Sequence, residues 1–241
     1  MTAEAAPQER GALAVLWDVI VAPRAAFESL RDRPRWLIAF AVTCVLGMIG
    51  AFLQIPAGEH IAAATLARQA ATDPNLATMS PEKLQQMKDM AVTAQRWIWP
   101  FYPIIVIISI SIAALVMLIG KAIAKGAASF GRLFALAANV ALINWGIYYL
   151  IIGALSTLRG AEDFSSQSDI AKLVPSLAWV APSAGPKLTV FLTVFNPFAI
   201  WSFVLLALGL QTVAALKPVP AYVVAAVVAF GGILFAAPFA K

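Results

Sequence analysis

The side chains able to do chemistry are few in this sequence, and their spacing does not bring them together. His60 is the only histidine and Cys44 the only cysteine. A metal site built on paired His or Cys, and an intrachain disulfide, therefore each lack a second member. Ser165 and Ser166 lie near Asp163, but no histidine neighbours them to act as the activating base. The HExxH, GxSxG and glycine-rich phosphate-loop patterns are all absent. The residues predict no enzyme, no cofactor and no metal.

The arrangement of charge says more. All 17 basic and 12 acidic residues fall outside five stretches, 36–58, 97–120, 133–158, 188–216 and 218–240. Each stretch reaches the ~20 residues that a helix needs to cross a hydrocarbon core. A soluble helix keeps one wet face, so charges this segregated point to a membrane protein. The expected fold is all-α, a polytopic helical bundle of about five transmembrane helices. An N-terminal amphipathic surface helix and a helical extracytoplasmic loop complete it. The spans are expected near 36–55, 98–120, 133–155, 190–216 and 221–239, forming a membrane domain over 36–241 behind a cytoplasmic segment 1–35. With no ionisable group inside these spans, proton relays, ion coupling and intramembrane aspartyl catalysis lack their residues.

Residues 1–10 read as a polar lead-in, and residues 1–35 do not read as a signal peptide, since no apolar run precedes a cleavage site. Leu13, Leu16, Trp17, Ile20 and Val21 recur at helical spacing and predict a helix lying on the bilayer surface. Trp17, with Arg31, Arg33 and Arg35 ahead of the first span, forms the expected membrane-surface anchor. Pro23 restarts a helix at its first turn. In the longest loop, Asp73-Pro74-Asn75 marks a turn and Ser80-Pro81-Glu82 a helix start. Basic residues border nearly every span end, where they snorkel to headgroups. The basic balance therefore marks the lipid bilayer as a partner, and nucleic acid is not expected. Loops 121–132 and 217–220 contain no acid, so the density of Lys and Arg predicts a cytoplasmic N-terminus and an extracytoplasmic C-terminus.

Within the spans, Thr43, Gly47 and Ala51 repeat at four-residue spacing, as do Ala221, Ala225 and Ala229. Small residues at that spacing let helix backbones approach in lipid, within one bundle or between copies. Asn139, Asn144 and Asn196 are the unusual polar groups. An unsatisfied amide in hydrocarbon costs several kcal/mol, so each is expected to meet a neighbouring helix or a lipid headgroup.

Two segments carry a family likeness. Asn196-Pro197-Phe198-Ala199-Ile200-Trp201, running on through Leu205-Leu206 to Gly209-Leu210, resembles the Phe-x-Ile-Trp span of Yip-type proteins, the Ypt/Rab-interacting integral membrane family. Gly126-Ala127-Ala128-Ser129-Phe130-Gly131-Arg132-Leu133-Phe134 resembles that family's loop between its second and third spans. Pro23, Phe27 and Leu30 resemble the pattern of the bacterial branch. The family pattern often has an acidic residue just before Phe-x-Ile-Trp, where Asn196-Pro197 stands here. Eukaryotic members carry a longer N-terminal region associated with small GTPases, so a Rab-type GTPase is not an expected partner of this chain.

The resemblance implies five spans and a bacterial inner-membrane location. It also implies an organising role beside a membrane protein partner, such as an export complex, or beside further copies of the chain. The expected function is a non-enzymatic adaptor or organiser of a membrane complex, or a shaper of the bilayer. The alternative is energy-independent movement of lipid or a small molecule along a polar groove near Asn139, Asn144 and Asn196.

Overall fold

Two short helices precede the first apolar stretch. The computed structural model of the protein describes residues 11–181 and 185–232, and every regular element among them is helical. Residues 1–10 and the end of the fifth expected span, 233–239, lie outside the described residues. Helix α1 (Ala12–Val21) ends where the backbone N–H of Ala22 closes on the carbonyl of Asp18. Helix α2 (Pro23–Asp32) restarts with Pro23 in its first turn, where the missing N–H breaks no helical hydrogen bond.

The N-terminal helices are built into the bundle. Val15, Leu16 and Val19 of α1 and Ala26, Phe27 and Leu30 of α2 are buried. The sequence places Leu16 and Trp17 on one membrane-facing side of α1, but the structure divides them. Leu16 faces the protein, whereas Leu13, Trp17 and Val21 form the outer face.

Helix α3 (Leu37–Leu53) comes next, and α4 (Ile55–Thr72) continues from it at a 53° bend. Pro56 occupies the first turn of α4, which is where a proline permits a new helix to start. The short α5 (Pro74–Ala77) is capped by Asp73, whose side chain accepts from the backbone N–H of Asn75. Helix α6 (Pro81–Arg96) is capped by Ser80 and returns against α4, closed by an Arg96–Glu59 ion pair at 2.8 Å. The expected helical loop is thus an α-hairpin.

Helix α7 (Tyr102–Ile123), with the 3-10 turn Trp99–Phe101 ahead of it, runs for 25 residues. At ~1.5 Å per residue that is ~37 Å, enough to cross a core of ~30 Å. Tyr102, Val106, Ile110, Ala114 and Met117 form its buried stripe, while Ile104, Ile108, Ile112, Leu115 and Ile119 point outward. The next crossing, residues 130–159, is 30 residues long and is the most enclosed. It comprises α8 (Phe130–Ala141), a π-helical turn (Leu142–Ile147) and α9 (Tyr148–Arg159), which ends at Gly160 with φ of 95°. Two helices are therefore long and apolar enough to span a membrane, or three if the bent α3–α4 pair is one span.

Beyond α9, Phe164, Ile170 and Val174 form a second small core with Ala57 and Ile61 of α4 and Ile152 of α9. The short α10 (Gln167–Ala171) carries a capping box between Ser166 and Asp169. The stretch expected as one span over 190–216 is divided. Helix α11 (Pro186–Thr193) stops, and α12 (Pro197–Val213) starts anew behind Asn196. Proline cannot donate to a helix already under way, so the Asn-Pro pair imposes the break. Helix α13 (Pro218–Phe230) returns along α12, its Phe203–Phe230 ring centroids 5.6 Å apart. Helices α12 and α13 are apolar but shorter, at 17 and 13 residues.

Helices α3, α8–α9 and α13 run one way, α7 and α12 the other. One end of the bundle thus gathers α1, α2, the 124–129 loop and the 214–217 connection. The other end carries the α4–α6 hairpin and residues 160–181.

Candidate functional site

Three separate devices hold polar groups inside the bundle. The first lies at the entry to α3. Asn139 sits on α8, the most enclosed helix, and is 2% exposed. Its Nδ2 donates to the carbonyl of Arg35 at 2.9 Å and to that of Ala135 at 2.8 Å. A buried amide without partners is costly, and here both donors are used. The bond to Arg35 fixes the linker that joins α2 to α3. Beside it opens a groove of about 320 Å³ lined by Val15, Pro34, Arg35, Trp36 and Asn139, among others. Trp36 closes one side by edge-to-face contact with Phe134, ring centroids 5.3 Å apart.

The second device surrounds the π-helical turn. Wider than an α-turn, it leaves a carbonyl free for another donor, and the Tyr102 hydroxyl donates to the carbonyl of Trp145. Trp145 stacks on Tyr149 at 5.6 Å, and Tyr102 meets Tyr149 edge-on at 5.2 Å. Gly47 makes room for this cluster, because a Cβ there would sit 2.1 Å from the Tyr102 ring. One turn further on, Gly50 and Gly153 bring α3 and α9 together at backbone distance. A Cβ on Gly153 would lie 2.4 Å from the Gly50 carbonyl oxygen. Asn144 lies within the π-turn and is half-buried.

The third device is the cap of α12. Asn196 is 7% exposed, and its Oδ1 accepts from the backbone N–H groups of Phe198 and Ala199, both at 3.0 Å. Its Nδ2 donates to the Thr193 carbonyl at 3.2 Å. A carboxylate could accept the same two bonds, so Asn196 can fill the capping place of an acidic residue. The three asparagines thus have separate surroundings, and no hydrogen bond joins Asn139 to Asn196.

The other residues singled out by sequence lie as follows. Thr43 and Gly47 are buried and Ala51 half-buried on α3; Ala221 and Ala225 are buried and Ala229 half-buried on α13. Trp17 is 64% exposed; Arg31 and Arg33 are exposed, Arg31 pairing with Asp32 at 3.2 Å. Arg35 is half-buried at the groove. No group of three His, Cys, Asp or Glu side chains converges as a metal site among the described residues.

Several packing positions give no signal in the sequence. Tyr102 and the π-turn give no periodic signal, and Gly50 falls outside the four-residue stripe through Gly47. At the N-terminal end, the Ala127 N–H donates to the Ala214 carbonyl at 2.9 Å, joining the 124–129 loop to the α12–α13 connection. Gly126 permits that contact, since a Cβ would come within 2.7 Å of the Ala214 oxygen. The glycine of the family-like loop signals a close approach, but the sequence does not say to what.

Two comparisons bear on this geometry. Residues 17–237 match the Yip1 domain. The chain is also 26% identical over 216 residues to a protein of Bacillus subtilis (strain 168) named "Membrane protein YknW". That alignment covers 90% of this chain and 85% of the relative. No solved structure matches the chain at a significant level.

Proposed function

Because this chain belongs to the Yip1 domain family of membrane proteins, we propose that it is a non-enzymatic adaptor that organises a complex in the membrane. The observation that carries this reading is the outer face of α1. Leu13, Trp17 and Val21 are each more than half exposed, yet the helix that bears them is fixed. Val15 and Val19 anchor α1 in the main core, and Phe27 and Leu30 anchor the adjoining α2 in it. An apolar surface held rigidly at a bundle end suits a partner with an apolar membrane-facing helix. An export complex is one partner of that kind, and further copies of the chain are another.

The proposal puts the N-terminal segment on the cytoplasmic side of a bacterial inner membrane. The short acid-free loops at that end support it, since Lys and Arg in short loops are retained inside. Lipid movement along an asparagine groove gains no specific support, because Asn139 and Asn196 each satisfy backbone groups of the bundle.

Extraction in mild detergent tests the reading. The wild type is expected to migrate with one partner in fixed stoichiometry, and Leu13→Ser with Trp17→Ser to lose it while remaining folded. If the wild type leaves the membrane alone, with lipid only, the adaptor reading fails.

A further inference from the structure

We infer that the junction between the 124–129 loop and the 214–217 connection is a docking site for anionic phospholipid headgroups. The first ground is the distribution of charge over the folded chain. Residues 11–35, 121–132 and 214–217 lie at one end of the bundle and hold eight basic and three acidic residues. Residues 59–96 and 159–187 lie at the other and hold seven of each. The net positive charge of the described chain therefore belongs to one end.

Within that end, the acids are Asp18, Glu28 and Asp32, all on the N-terminal helices. The junction carries Lys125 and Lys217, with Lys121 and Arg132 on the helix ends that flank it, and no acid. Among the described residues, none of these four forms an ion pair. Like charges gathered without counter-charges repel one another unless an anion supplies the balance.

The junction is also shaped and held. The Ala127–Ala214 bond ties its halves, the Gly126 N–H closes on the Lys121 carbonyl at 2.9 Å, and the Leu216 N–H reaches the Leu210 carbonyl at 3.3 Å. Lys125 and Ala215 both take positive φ, 56° and 51°, so each half turns sharply. Two exposed lysines, Lys125 and Lys217, are thereby brought beside one bridge from positions 92 residues apart in sequence.

The surroundings identify the anion's carrier. Ile123 is 79% exposed, Val219 74% and Phe130 41%, and they flank the basic residues at the ends of apolar helices. A site for a soluble phosphate or a nucleic acid would not be bordered by bare aliphatic side chains. A phospholipid satisfies both halves, its acyl chains against Ile123 and Val219 and its phosphate against the lysines. This inference does not depend on the adaptor reading and holds with or without a protein partner.

Native mass spectrometry of the full chain in detergent tests it, titrating phosphatidylglycerol against phosphatidylcholine of the same acyl chains. Each basic residue near an anionic headgroup contributes roughly fivefold. Lys125→Gln with Lys217→Gln is therefore expected to weaken phosphatidylglycerol binding roughly 25-fold. Lys83→Gln with Lys88→Gln removes the same charge from the other end and is expected to leave binding unchanged. Equal binding of the two lipids by the wild type would overturn the inference. So would equal loss in the two double variants, because charge alone would then account for the binding. Unchanged thermal unfolding of both variants confirms that a loss is not a failure to fold.

Discussion

Asn139 holds the backbone carbonyl of Arg35 at 2.9 Å across 104 residues of sequence. That bond joins the most enclosed helix, α8, to the linker that aims α2 and α3, and so to the platform that carries Trp17.

Asn139→Ala removes the donor and leaves the Arg35 carbonyl without its partner. The expected cost is about 1–3 kcal/mol. Thermal unfolding in detergent should show it as a lower midpoint, with proteolysis opening first between residues 30 and 40. An unchanged midpoint would mean that the linker is held by other contacts.

Gly50→Ala or Gly153→Ala drives a Cβ into backbone at 2.3 or 2.4 Å. Backbone cannot swing aside as a side-chain tip can, so either change is expected to cost at least about 3 kcal/mol or to abolish the monodisperse protein. Gly131→Ala is the contrast. Nothing lies within 4 Å of its Cβ, and alanine in the first turn of α8 is expected to be neutral or stabilising by up to ~1 kcal/mol. Size-exclusion profiles of the three variants distinguish these outcomes.

Asn196→Ala takes away the oxygen that accepts from Phe198 and Ala199, with an expected loss of about 1 kcal/mol. Asn196→Asp restores an acceptor and is expected to recover most of it. Should Asp prove as poor as Ala in thermal unfolding, the cap is not what Asn196 contributes.

Asp169 gives a pH dependence. Partial burial pushes its carboxyl upward, but hydrogen bonds from the hydroxyls and backbone N–H groups of Ser166 and Ser165 outweigh burial and hold it below the usual carboxylate value. A depressed folded pKa contributes stability above the unfolded value, near ~3.9. That stability is lost as the pH falls through the lower folded value. Opening of residues 160–181, read as hydrogen exchange relative to its intrinsic rate at each pH, should therefore be steady from neutral pH to about pH 5 and rise only in stronger acid. Asp169→Asn is expected to flatten that rise, and a profile identical to wild type would remove Asp169 as its source.

The elements legible in the sequence are those whose cause is local. Charge-free stretches mark α7 and α8–α9, the helices long and apolar enough to cross a membrane, because the cost of a charge in lipid is set by that residue itself. Asp73, Ser80 and Pro81 announce their helix starts, since a cap acts within three residues. Asn196-Pro197 carries the signal for a break, yet the unbroken apolar run around it reads as one span. What stays hidden depends on distant partners. Asn139 stands out as a polar group, but a backbone carbonyl at Arg35 leaves no trace in residue identity. Likewise, spacing selects Gly47, while the close backbone approach of α3 to α9 runs through Gly50, against Tyr149 and Gly153. Helix α1 reads as a surface feature because its apolar residues suit lipid and protein equally; only packing decides that Leu16 goes inward while Trp17 stays outside.

The adaptor role is tested most directly by photo-crosslinking in intact membranes from position 17, on the outer face of α1, with position 90 on the far hairpin as the control. Position 17 is expected to capture one membrane protein of defined mass, and position 90 is not. Capture of lipid alone from position 17, or the same products from both positions, would contradict the adaptor role.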